Sequence, residues 1–270
     1  MDDKSKRARL FGFALLHQFL FYTSERKKEM ISVSNVSKSF GKVKVIKNIS
    51  FVAMPGRVTG LIGANGSGKT TTMRLISTIL KPDSGTIAID DVNVAANPEK
   101  ARKNLGVLFG GDVSLYNRLT AWENIMYFAK LQGMSETEAE QRIKILSNLL
   151  DMDRYLFKKV AGFSRGMRQK VSFAKSIVHN PSSILLDEPS TGLDIYSIRD
   201  VQDFVLTCKE QGKTVIVSTH NMHEIERLCD DLVIISDGKI IRNGTKEEIL
   251  KNEGTDDVME MFFKIAEEND

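Results

Sequence analysis

The chain has 270 residues, 41% hydrophobic and 27% charged, proportions of an ordinary globular protein of one or two domains that exclude a disordered or fibrous chain. With 38 Lys and Arg against 35 Asp and Glu the net charge is +3, too small by itself to argue for a nucleic-acid or membrane partner. Cys208 and Cys229 are too few for a disulfide framework and too far apart for a CxxC motif, which fits a reducing compartment.

Residues 1–29 hold seven of the basic and four of the acidic groups, which leaves 31 of each sign for residues 30–270. The whole excess of positive charge therefore lies in this leader. Its apolar run, Leu10–Tyr22, is shorter than the roughly 18–20 residues that span a bilayer. Three readings stay open. Translation from Met30, leaving 1–29 outside the native protein, is favoured. A helix lying on the membrane surface comes second, since basic residues flank an aromatic-rich stretch. A secretory signal comes last, because Thr23-Ser24-Glu25-Arg26 is a poor cleavage site.

From Ile31 the chain reads as short strands: ISVSNVSKSF, KVIKNISFVA after it, then VTGLIG behind a turn at Pro55-Gly56. Gly63-Ala64-Asn65-Gly66-Ser67-Gly68-Lys69-Thr70 matches the phosphate loop G-x-x-x-x-G-K-[ST], with a strand in front and the helical TTMRLISTIL behind. Glycines there let backbone N–H groups curl around phosphate oxygens. Lys69 supplies charge near the β- and γ-phosphates, and the Thr70 hydroxyl can ligate Mg²⁺. Thr71 completes the expected nucleotide contacts. A second turn at Lys81–Gly85 precedes the strand TIAID.

Between about Asp112 and Asn180 the apolar period becomes helical, with capping boxes at Thr120-Ala121-Trp122-Glu123 and Ser135-Glu136-Thr137-Glu138. Phe163-Ser164-Arg165-Gly166-Met167 opens a further helix, with Ser164 as its natural N-cap and Met167, Val171, Ala174, Ile177 and Val178 at helical spacing. Strands return at SSILLDE and KTVIVST, each followed by a helical pattern, as right-handed parallel crossovers require. Asp187 and Glu188 end a buried strand, where ligands gather in open α/β sheets. Asp187 can hold Mg²⁺ and Glu188 can polarise an attacking water as general base. DLVIISDGKIIRNG reads as a hairpin turned at Asp237-Gly238, and a short amphipathic tail carries Val258, Met261, Phe262 and Ile265 on one face. There is no internal repeat.

The segment Phe163–Met167 resembles the LSGGQ signature of ATP-binding-cassette (ABC) ATPases, with Arg165 in place of the first glycine and Met167 in place of the glutamine. It lies between the phosphate loop and the Asp187-Glu188 strand, as in that family. Thr191-Gly192-Leu193-Asp194 resembles the family's D-loop and Ser218-Thr219-His220 its H-loop. The resemblance covers residues 31–243. It implies an α/β fold: a P-loop NTPase core on a mostly parallel sheet, an N-terminal antiparallel β subdomain and an inserted α-helical subdomain at about 112–172. The ABC ATPase domain would span 30–245, followed by a helical tail, 246–270.

The same resemblance implies that Phe40 stacks on adenine and that His220 contacts the γ-phosphate. It implies further that two cassettes face each other, each ATP lying between one phosphate loop and the other cassette's signature, in which a helix beginning at Ser164 offers its N–H groups. His17, His179 and His223 have no such context and read as ordinary polar residues. The family's usual glutamine at the start of the helical insert is missing: Leu108-Phe109-Gly110-Gly111-Asp112 stands there, and Asp112 or a water is expected to complete the metal shell. LFGGDVSLYNRLTAWENI with GFSRGMRQK is most similar to sodium-efflux (NatA-type) cassettes, related to drug-export ones.

The implied protein binds ATP and Mg²⁺ as a homodimer at the cytoplasmic face of the membrane. It powers export, of sodium ion or a drug-like substrate, through a separate multi-spanning permease that docks near Gly110–Tyr116. The alternative is a non-transport ABC ATPase acting on ribosome or DNA. Translation-associated members usually carry two cassettes per chain, and chromosome-maintenance members insert a long coiled coil where only 94 positions separate Thr70 from Ser164. A small-molecule P-loop kinase would not need the signature, D-loop and H-loop. The neutral remainder of the chain gives no electrostatic footprint for nucleic acid.

Overall fold

The computed structural model describes residues 30–109 and 115–268. The leader 1–29 and the Gly110-Gly111-Asp112 stretch, with the readings placed on them, lie outside the described residues. Among the described residues the chain packs as two units: 30–109, 181–191 and 205–268 in one, 115–180 and 192–204 in the other.

The first unit contains both sheets. β1 (Ile31–Phe40) pairs antiparallel with β2 (Val43–Ala53) and with β4 (Ser84–Ile89), and β4 pairs with the two-residue β5 (Val92–Asn93). The second sheet runs in the order β10-β9-β3-β8-β7-β6. β3 (Val58–Ile62), β6 (Leu105–Leu108), β7 (Ser183–Asp187), β8 (Thr214–Ser218) and β9 (Asp231–Ser236) are parallel, and β10 (Lys239–Thr245) closes the edge antiparallel to β9. β3, β7 and β8 are buried at every residue. Their unbroken apolar runs suit strands covered on both faces. One core unites the sheets: Ile31, Ile49 and Phe51 belong to the same buried cluster as Leu61, Leu185, Ile216 and Val233.

Short helices complete this unit: α1 (Lys69–Ile76), α2 (Pro98–Lys103), α7 (Met222–Leu228), α8 (Lys246–Asn252) and α9 (Val258–Glu267). TTMRLISTIL was expected to be helical throughout, but α1 stops at Ile76, with Thr78 at φ +67°. A β-branched residue in the left-handed region breaks the helix there. At the β9–β10 hairpin both Asp237 (φ +44°) and Gly238 (φ +74°) take positive φ, as a two-residue primed turn demands. β6 is not evident in the sequence, because four residues with a central glycine carry no distinguishing period.

The second unit is helical. α3 (Ala121–Leu131) and α4 (Glu136–Leu149) each begin with a complete capping box, Thr120 with Glu123 and Ser135 with Glu138. α5 (Arg165–Ile177) buries Val171, Ala174 and Ile177 on the face expected from its spacing. The first half of α6 (Ile195–Glu210) lies along α5, held by a Lys170–Asp200 ion pair at 2.8 Å and by Phe173 against Phe204, ring centroids 5.0 Å apart. No helix among the described residues is long and apolar enough to cross a membrane.

Candidate active site

β3 delivers the chain into the loop Gly63–Gly68 at its carboxyl end, and α1 leaves from it. Gly63 has to be glycine for lack of room: a Cβ there would collide with the Ile235 carbonyl oxygen and lie 2.6 Å from Ser67 Oγ. Gly68 stands at φ +114° with Ile46 Cδ1 against its Cβ position. Ala64, Asn65 and Gly66 are exposed, as are Thr70 and the space over Gly66. Thr71 is half-buried, and Thr72 closes the first turn by donating its hydroxyl to the Gly68 carbonyl at 3.0 Å.

Lys69 is buried, its Nζ donating to the carbonyls of Gly63 at 2.7 Å and Ala64 at 3.1 Å. Burial pulls its pKa down, against the opposing pull of Glu188 and Asp187. The ammonium thus stands inside the loop, already desolvated and facing where an anion would lie.

β7 ends at Asp187, level with Ser218 on β8, and the Ser218 hydroxyl donates to Asp187 Oδ1 at 2.7 Å. The next residue, Glu188, sits at φ +50°, unusual for a residue with a side chain and worth about 1–2 kcal/mol of strain. Its amide donates to the Ser218 carbonyl at 2.8 Å. Its carboxylate is held at both oxygens: the Thr191 hydroxyl donates to Oε2, and His220 Nδ1 lies 2.8 Å from Oε1. The sharp turn is what brings Glu188 from the end of one strand to the loop that follows its neighbour.

Phe40 ends β1, 46% exposed, with Lys38 Nζ 5.7 Å from its ring centroid. The residues Phe40, Gly63 to Thr71, Asp187, Glu188 and His220 all belong to the first unit.

The signature-like segment belongs to the second. Ser164 caps α5 by accepting the Met167 amide, and no acidic residue stands in that first turn. Phe163 meets Tyr155 edge-on at 5.1 Å. A Cβ on Gly166 would collide with Ser197 Oγ, and one on Gly192, at φ +71°, with the Arg165 guanidinium. Asp194 accepts the amides of Tyr196 and Ser197 and the Ser197 hydroxyl; the Ser197 amide, and then its hydroxyl, hold the Asp194 carboxyl below its ordinary pKa. Arg165, where the family has glycine, is therefore seated over Gly192 of the same unit.

Two supports escape the sequence. The Gly238 amide donates to the Ser67 carbonyl at 3.0 Å and its own carbonyl accepts from Lys47, so the β9–β10 turn clamps the phosphate loop. The Asp-Gly pair signals a hairpin, but nothing in it signals what the hairpin touches. Ser218, the partner of Asp187, is visible only once β7 and β8 are paired in register.

A nucleoside triphosphate with a divalent cation suits these residues. The buried Ser67 hydroxyl has no hydrogen-bond partner among the described residues, and α1 begins without a side-chain cap. Those are donors left for an anion.

A family model described as ABC transporter matches residues 46–191. The ABC transporter ATP-binding protein NatA of Bacillus subtilis (strain 168) is 39% identical over 238 residues, 87% of this chain and 97% of its own. The linearmycin resistance ATP-binding protein LnrL of the same organism is 33% identical over 86% of this chain and 74% of its own. Among solved structures, an ATP-binding subunit of an ABC transporter superposes with a TM-score of 0.81 at 30% identity, over 88% of this chain and 99% of that one. The dimeric ABC transporter cassette MJ0796 superposes with a TM-score of 0.71 at 26% identity, over 80% and 98%.

Proposed function

The chain belongs to the ABC transporter family of ATP-binding proteins and is an ATPase, and from that premise we propose that two copies sandwich two ATP molecules and drive export through a separate multi-spanning membrane subunit. Each ATP would lie between the Gly63–Thr71 loop and Phe40 of one copy and the Phe163–Met167 segment of the other, with Asp194 near the junction. The observation that carries the hydrolytic step is the Glu188 carboxylate, fixed between Thr191 and His220 beside the phosphate loop.

Glu188 takes a proton from the attacking water as it adds in line to the γ-phosphorus and the bond to the β-phosphate oxygen breaks. His220, anchored to Glu188, reaches toward the γ-phosphate, and Lys69 balances the charge on the transferring group. Mg²⁺, held by the Thr70 hydroxyl and Asp187, would neutralise the β- and γ-phosphate oxygens. Glu188→Gln keeps the shape and loses the base. It is expected to bind ATP and accumulate as a dimer without turnover, and undiminished phosphate release from it refutes the role.

The cargo proposed is sodium ion or a drug-like molecule: the first is supported by the resemblance to sodium-efflux cassettes and the 39% identity to NatA, the second by the likeness to LnrL, named for linearmycin resistance. The protein would then work at the cytoplasmic face of the membrane, held there by its permease. Vesicles carrying the chain together with the membrane protein that co-purifies with it provide the test. ATP-dependent movement of labelled sodium or of a lipophilic drug is expected, and ATPase activity unaffected by any membrane partner, with no transport, overturns the reading.

A further inference from the structure

Two acidic residues, Asp187 and Glu224, are buried among the described residues, and Glu224, 2% exposed, has no part in the hydrolysis outlined above. It sits in α7, the helix that follows His220. Its Oε2 accepts the Thr219 hydroxyl at 2.6 Å, while Oε1, shut off from solvent, has no hydrogen-bond partner among the described residues. Thr219, also 2% exposed, receives the Asn221 amide on the same oxygen at 3.0 Å. The Thr219 hydroxyl therefore ties down the residues on either side of His220.

Burying a carboxylate with one oxygen unsatisfied is costly, and an apolar side chain of similar shape would fill the same space without that cost. The His220 side chain, 62% exposed, has little packing to hold it. Its aim is set by the backbone on which it stands and by the contact to Glu188. We infer that Glu224 is a positioning residue for ATP hydrolysis: through the Thr219 hydroxyl it fixes the 219–221 backbone that points His220 at Glu188. This rests on the roles proposed above for His220 and Glu188.

Steady-state ATPase kinetics of the full chain test it, with Thr219→Val, Glu224→Met, the double variant, Thr219→Ser and His220→Ala side by side. Thr219→Val and Glu224→Met each lower kcat by roughly 10- to 100-fold, the loss expected of a slightly misaimed group, while KM for ATP stays near wild type. The double variant is no slower than the slower single one, because both remove one hydrogen bond. Thr219→Ser, which restores the hydroxyl, restores the rate. Glu224→Met keeps or raises the melting temperature, so lost stability does not account for the slower turnover. Wild-type kcat in Thr219→Val, losses that multiply in the double variant, or a raised KM at unchanged kcat overturns the inference. Should Glu224→Met fail to fold, the contrast between Val and Ser at position 219 decides it alone. Wild-type kcat in His220→Ala would instead sink the reading on which the inference rests.

Discussion

His220 Nδ1 lies 2.8 Å from Glu188 Oε1, joining the end of β7 to the loop after β8 across 32 positions of sequence. The contact is made possible by Glu188 turning out of its strand at φ +50°. Glu188 thereby gains a fixed orientation before any substrate arrives.

Removal of the imidazole should leave Glu188 chemically intact but held at one oxygen only, by the Thr191 hydroxyl. His220→Ala is expected to lower kcat by roughly 10²–10⁴-fold, with little change in ATP affinity, by comparison of turnover with equilibrium nucleotide binding. Equal loss of binding and turnover would show that His220 serves ground-state binding.

Gly238 stands at φ +74°, and a Cβ on it would collide with the Val45 carbonyl while its amide holds Ser67. Gly238→Ala should cost about 1–3 kcal/mol in stability and weaken ATP binding as well. Chemical denaturation and nucleotide titration read the two effects; a destabilised protein with wild-type ATP affinity would mean that the turn does not shape the loop.

Burial raises the Cys229 thiol to about 12, and its Sγ lies 2.7 Å from the position a Cβ on Gly60 would take. In the native protein Cys229 should resist thiol reagents at neutral pH and react only on unfolding, as judged by labelling and mass spectrometry. Gly60→Ala should overpack β3 against Cys229 and against Leu232 of β9 and destabilise by about 1–3 kcal/mol, seen as a lower denaturation midpoint at unchanged slope.

Glu123 and Glu138 are held below their ordinary pKa, Glu123 first by the Thr120 amide and Glu138 first by the Ser135 hydroxyl. A carboxylate whose folded pKa is depressed adds stability above its unfolded value and loses it as pH falls through the folded one. The helical unit should therefore weaken below about pH 4, with Glu123→Gln and Glu138→Gln together flattening that dependence in a circular-dichroism titration. Thr120→Ala should cost about 1 kcal/mol at neutral pH, and an unchanged melting temperature there would contradict it.

Much of the site is legible in the sequence because its parts are local. The phosphate loop is eight consecutive residues whose glycines and lysine have one joint use, and the capping boxes and the Asp-Gly turn are spacings of two to four residues. The resemblance of Phe163–Met167 to the signature rests on its order relative to the phosphate loop and Asp187, since Arg165 and Met167 depart from the motif. The end of α1 at Ile76 is not legible, since the left-handed Thr78 leaves no local mark, and neither is β6, because a four-residue edge strand has no period.

Sequence alone determined which residues could meet a phosphate, because backbone conformation and side-chain chemistry over a few positions suffice for that. Only the tertiary structure decided what holds them: Gly238 against Ser67, Ser218 on Asp187, His220 on Glu188 and Glu224 behind Thr219. All but the Glu224–Thr219 pair lie far apart in the chain, and those three depend on strand register or on a hairpin's landing place. Register is fixed by burial of whole strand faces, a property of the packed sheet that no short segment carries.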